Sequence, residues 1–105
     1  MAITKTIIVD KTEVVSIGST YSSDEWKNVQ VRTATIIKED GVELTRSFSR
    51  KVLEPGTVAA GSTALTDTNI SSEDASVQAI CNAVWTSSVK EAYRAHLVGI
   101  RSESL

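Results

Sequence analysis

With 105 residues, 41% of them hydrophobic, the chain has the length and apolar content of one domain with one modest core, and too little for two. A formal net charge of −2, with Lys and Arg scattered along the chain, excludes the electrostatic footprint of a nucleic-acid binder. A single cysteine, Cys81, excludes an intrachain disulfide, a single histidine, His96, argues against a zinc site, and no stretch approaches the roughly 20 apolar residues of a membrane span. The start lacks an apolar run of signal-peptide length. The expectation is a protein that folds in the cytoplasm of the cell that makes it, with no cofactor, no metal, no nucleic-acid partner and no membrane association.

Ile3 to Val9 and Glu13 to Ile17 are rich in Ile, Val and Thr and read as two short strands or one strand interrupted at Asp10-Lys11. From Gly18 to Asn28 the composition turns to Gly, Ser, Thr and Asp, which predicts a loop carrying Tyr21 and Trp26. Between Val29 and Leu53, two runs of strand formers flank Lys38-Glu39-Asp40-Gly41. Asp-Gly suits a type I′ turn, because both central positions need positive φ. The tip is therefore set at Asp40-Gly41. The implied register places Glu39 opposite Val42, Lys38 opposite Glu43, Ile37 opposite Leu44, and so on to Val29 opposite Val52.

In that register the period of two gathers Val29, Val31, Thr33, Thr35 and Ile37 with Leu44, Phe48 and Val52 on a face that should be buried. Gln30, Arg32, Ala34 and Lys38 gather with Glu43, Thr45, Ser47, Ser49 and Lys51 on the other. After Glu54-Pro55-Gly56, residues 57–69 are almost all small and polar and read as an extended arm or loop. The last third is helical by period: Val77, Ile80, Cys81, Val84, Trp85, Val89, Ala92, Tyr93, Leu97 and Ile100 fall on one stripe. Ser71 is the expected N-cap. Thr86-Ser87-Ser88, with Ser88 and Glu91 at capping-box spacing, leaves two helices as the alternative to one, which the unbroken stripe favours. The expected fold is thus α+β, an antiparallel β-sheet meander with a long hairpin packed against a C-terminal amphipathic helix.

Chemistry-bearing residues are sparse. Cys81 and His96, fifteen residues apart, would lie about 22 Å from each other along one straight helix, too far to act as nucleophile and base. Glu39-Asp40 and Glu73-Asp74 are explained by an exposed turn and a helix start, and no phosphate-binding loop or metal-ligand spacing occurs. No catalytic residue is predicted. Arg46 and Arg50 share the predicted buried face with Phe48, although Arg is rarely buried without a partner. One explanation is a sheet rim over which the guanidinium groups reach solvent; the other is a subunit interface, where Arg and aromatics are enriched. Trp26 and Tyr21, aromatics in a polar loop, point to an interface as well. The interface candidates are therefore Trp26, Tyr21, Arg46, Phe48 and Arg50.

Two blocks carry a resemblance: Val29-Gln30-Val31-Arg32-Thr33-Ala34-Thr35 continuing through Lys38-Glu39-Asp40-Gly41-Val42-Glu43-Leu44 and Arg46-Ser47-Phe48, and the helical block Val77-Gln78-Ala79-Ile80-Cys81-Asn82-Ala83-Val84-Trp85-Thr86. Together they resemble small virion-associated proteins of tailed bacteriophages, especially aquatic ones. The polar connection over 57–69 departs from that pattern by its length. The resemblance implies a structural virion component of tail, baseplate or fibre, assembled in the host cytoplasm, with other virion proteins and copies of itself as partners. It assigns no catalytic residues. A capsid decoration or cement protein is the alternative within that class, and an assembly chaperone or regulatory binding module the alternative outside it.

Overall fold

A computed structural model describes residues 2–103, except for the side chains of 22–24 and 102–103. The elements in chain order are β1 (Ile3–Ser19), β2 (Ser22–Glu39), β3 (Val42–Leu53), β4 (Gly56–Val58), β5 (Leu65–Asp67), α1 (Ala75–Val84) and α2 (Ser87–Glu103). The first three strands form an antiparallel meander in the order β1-β2-β3, and β4 and β5 form a separate two-stranded hairpin. The α+β class and the packing of the C-terminal helix on the sheet follow the sequence expectation.

β1 is one strand rather than two. Its ladder with β2 runs from Ile3 opposite Glu39 to Ser19 opposite Ser22, with a bulge at Asp10 between Val9 and Lys11 and a further register shift between Ile17 and Ser19, next to the turn. The region expected to be a loop at 18–28 is instead the closed end of this hairpin, with Thr20-Tyr21 as the turn and Trp26 and Asn28 buried in β2. Polar composition misled there because local residues set the turn, while the helices decide which strand positions are covered. At the other end the Asp40-Gly41 tip is as expected, with φ of 52° and 83°. Reciprocal hydrogen bonds, Asp40 N to Ala2 O and Ala2 N to Asp40 Oδ1, both 2.9 Å, tie the start of β1 to this tip.

The β2–β3 register holds only for its first two pairs, Glu39 with Val42 and Lys38 with Glu43. A bulge then skips Leu44, so Ile37 pairs with Thr45 and Val29 with Leu53 rather than Val52. One extra residue moves every later side chain to the opposite face. Phe48 and Val52 consequently share a face with Arg32, Ala34 and Ile36, not with Val29 and Val31. Leu44, Phe48 and Val52 are exposed, contrary to the expectation that they face a core.

That core lies at one end of the sheet. Trp26, Val29 and Val31 of β2 pack with Val77, Cys81, Trp85, Val89, Ala92 and Tyr93 of the helical region. Of the helical stripe predicted from the sequence, Val77, Cys81, Trp85, Val89, Ala92 and Tyr93 are buried, Ile80, Val84 and Leu97 are partly buried and Ile100 is exposed, and the stripe is borne by two helices. α1 is capped by Asp74, whose carboxylate accepts from Ser76 N at 3.0 Å, three residues beyond the expected Ser71. α1 ends at Trp85. Thr86 opens α2, its Oγ1 accepting from Val89 N (3.3 Å) and its carbonyl from Lys90 N (3.0 Å). The break lets the Trp85 indole donate to the carbonyl of Lys27 (2.9 Å) and pin the helix junction to β2.

Residues 57–69 hold the β4–β5 hairpin, which docks on the chain's own α2. Arg94 donates to Thr63 O (3.1 Å), Arg101 to Ser62 O (2.7 Å) and Ala59 O (3.2 Å), and Lys90 pairs with Asp67 (3.1 Å). The segment read as an extended arm is therefore folded back rather than reaching out. What does reach out is the sheet. From Arg32 to Glu39, β2 runs about 27 Å past the last core residue, Val31, at roughly 3.4 Å per residue. The molecule measures 60 × 28 × 22 Å with a radius of gyration of 18.0 Å, against about 13 Å for a compact chain of this size.

Candidate interaction surface

The projecting arm comprises the first half of β1, the second half of β2 and most of β3. Its central strand is shielded by its neighbours: Ala34 lies between Ile8 and Phe48 in the ladder, and Ile36 between Thr6 and Arg46. Ala34 and Ile36 are buried although they lie outside the cluster in which β2 packs with the helices. The outer strands lack such cover. Ile3, Ile7, Val42, Leu44, Phe48 and Val52 are each more than half exposed. Isolated exposed apolar residues are ordinary, but a set concentrated on one protruding element marks a contact surface.

Charges on the Phe48 face are arranged in forks. The Arg32 guanidinium donates to both oxygens of Asp10, at 3.0 Å from Nε and 2.7 Å from Nη2, and its Cζ lies 4.3 Å from the centroid of the Phe48 ring. Bidentate pairing of this kind is directional and stronger than a neutral hydrogen bond. The Arg32 hydrogen bond holds the Asp10 carboxyl below its ordinary value and raises the guanidinium further. The β1 bulge brings Asp10 to this position. Nearer the tip, Arg46 forms a second fork with Glu43 (2.8 and 3.3 Å).

Toward the core the same face dips into a pocket of about 270 Å³, lined in part by Lys11, Glu13, Arg32, Arg50, Lys51 and Val52. Lys11 pairs with Glu13 (3.0 Å) and Lys51 with Glu73 (2.6 Å). Arg50 lies directly across the ladder from Arg32 and has no ion pair or hydrogen bond among the described residues. Like charges directly opposite each other weaken a sheet. Asp10 answers Arg32 with a fork; Arg50 has no such contact and is answered only at longer range by Glu13 in the pocket, whose carboxyl is held below its ordinary value first by Lys11 and more weakly by Arg50.

The five interface candidates divide cleanly. Arg46, Phe48 and Arg50 lie together on one face of exposed β3. Trp26 does not belong with them: it is buried, its ring 4.5 Å from that of Tyr93 and 5.4 Å from that of His96. Tyr21 is half-buried on α2, where a Cβ added at Gly99 would come within 2.3 Å of its ring. These two aromatics staple the β1–β2 turn to the chain's own helix. Asp10 and Arg32 were missed by sequence reasoning. The only local sign was the break in alternation at Val9-Asp10-Lys11, and the bulge it marks decides what Asp10 faces.

Cys81 is fully buried and burial raises its pKa, which suppresses the thiolate. His96 shares a hydrogen bond with Ser19 Oγ at 3.0 Å, joining α2 to the β1–β2 turn. Tyr93 is buried with its hydroxyl on the Glu54 carboxylate, and burial together with that carboxylate pushes its pKa up. Each of these groups serves the packing of helix on sheet. Among the described residues no group of His, Cys, Asp and Glu is placed to hold a metal, and no helix is long and apolar enough to cross a membrane. No family model, curated protein or solved structure matches the chain.

Proposed function

We propose that the chain is a non-enzymatic structural component of a tailed-phage virion, associated with tail, baseplate or fibre, that works by symmetric packing against other virion proteins and copies of itself. The observation carrying the assembly reading is the three-stranded arm, which stands clear of the core and exposes Ile3, Ile7, Val42, Leu44 and Phe48, with Val52 exposed at its base. Burial against a neighbour would add roughly 25 cal/mol per Å² of apolar surface removed from water. The virion setting rests on the resemblance of the β2–β3 and α1 blocks. A capsid decoration protein would use the same surface.

Quantitative mass spectrometry of purified particles tests the proposal. The chain is expected in fixed stoichiometry with the other structural proteins. Its absence from particles, despite abundance in the infected cell, would overturn the virion reading in favour of an assembly chaperone or regulatory binding module.

A further inference from the structure

β3 is a long edge strand. Its 12 residues contain neither Pro nor Gly, and every side chain from Val42 to Val52 is exposed. A long exposed edge is a template for another strand, and natural proteins usually blunt it with Pro, several charges or repeated bulges. Here the bulge at Leu44 lies near the tip, and the protection along the rest of the strand is charge, from Glu43, Arg46, Arg50 and Lys51, which admits only a partner strand whose charges complement them. We propose that β3 pairs antiparallel with β3 of a second copy about a two-fold axis at Ser47, joining two three-stranded sheets into one of six strands; this rests on the assembly reading above.

Self-complementarity selects the register. In an antiparallel pair, residues directly opposite each other point to the same face, so a two-fold axis at Ser47 sets Ser47 against itself, Thr45 against Ser49 and Arg46 against Phe48. The hydroxyl pairs fall on one face. On the other, each Arg46 guanidinium meets an exposed aromatic ring of the second copy, a favourable cation–π geometry. Beyond Thr45 the Leu44 bulge advances the pairing by one residue and brings Glu43 opposite Arg50. There Glu43, which within its own chain forks onto Arg46, would bridge to Arg50 of the second copy, whose only acidic influence within its own chain is the longer-range one of Glu13.

Neighbouring registers fail on charge. An axis at Phe48 sets Arg46 against Arg50, and an axis at Arg46 sets that residue against itself. Both place like charges directly opposite, which costs stability and suppresses the wrong pairing. Isologous two-fold contacts of this kind are the commonest route to a dimer, and pairing along an exposed edge is an established recognition mode.

Sedimentation equilibrium of the full chain is expected to show a dimer. Under oxidising conditions Ser47→Cys should form a covalent dimer, whereas Thr45→Cys should not, because Thr45 faces Ser49 rather than its own counterpart. Glu43→Arg and Arg50→Glu should each weaken dimerisation roughly tenfold or more, and the two together in one chain should restore it by exchanging the charges. All these positions are exposed, so circular dichroism should confirm unchanged folding. A chain that stays monomeric at high concentration, a dimer that cross-links through Thr45→Cys but not Ser47→Cys, or a charge-swapped chain that does not recover would each overturn the pairing. A monomer that is nevertheless found in particles would overturn the pairing alone, and a dimer absent from particles the virion reading alone.

Discussion

Gly99 shows how a single side chain is dictated by its contact. In an exposed helix an alanine would be favoured over glycine by about 0.8–1.0 kcal/mol. At this position its Cβ would strike the Tyr21 ring, so the ring must swing away and give up its packing on α2. Gly99→Ala is expected to destabilise the protein by about 1 kcal/mol in urea unfolding, within the usual range for overpacking. In a Tyr21→Ala background the same change should become stabilising, and a double-mutant cycle measures that reversal of sign. At Asp10 the decisive contact is electrostatic. Its folded-state pKa is depressed by Arg32 below the ordinary 3.8, so its contribution is fully present above that value and is lost as pH falls through the folded pKa. Asp10→Asn should therefore be less stable than the parent near neutrality, and the gap should narrow in urea titrations carried out at about pH 3.

Among the elements, the two helices depend on caps that their apolar stripe does not reveal. Asp74 satisfies the open N–H of Ser76, and Thr86 that of Val89. Asp74→Ala or Thr86→Ala should each cost about 1 kcal/mol, read as a lower denaturation midpoint at unchanged slope. The apolar residues line up across the junction, which made one helix the simpler expectation. Two helices form because the Trp85 indole is held by the Lys27 carbonyl while Thr86 restarts the hydrogen-bond pattern. The hairpin shows the same division. Asp40-Gly41 specifies its turn through backbone sterics alone, but two residues further on the Leu44 bulge reverses the faces, and nothing in the alternation of β3 announces it.

On the scale of the whole molecule, stability is concentrated at one end. Trp26, Val29 and Val31 are clamped beneath α1 and α2, whereas the arm beyond them contributes no residue to that cluster. Native-state hydrogen exchange on dilute protein should reflect this gradient. Hydrogen-bonded amides over 29–31 should exchange only through global unfolding, and those over 35–39 and 42–47 through local opening at lower free energy. Uniform protection along β2 in monomeric protein would contradict the gradient. Residue patterning predicts a core wherever apolar positions converge. That rule presumes a covering layer, and the helices cover only the base of the sheet. Arg46, Phe48 and Arg50 were thus singled out by a register that did not form, yet they do lie together on an exposed face.

By itself the amino-acid sequence determined the properties that depend on near neighbours: the Asp40-Gly41 tip, the strand character of β1 and β3, the helical stripe from Val77 to Leu97 and the α+β class. These rest on φ preferences and on periods of 2 and about 3.6 residues, which act over a few positions. Tertiary structure alone decided the bulges at Asp10 and Leu44, the burial of Trp26 and partial burial of Tyr21 against α2, the folding back of 57–69 and the bare distal half of the sheet. Each depends on which surfaces meet across large sequence separations, where one shifted residue exchanges inside for outside.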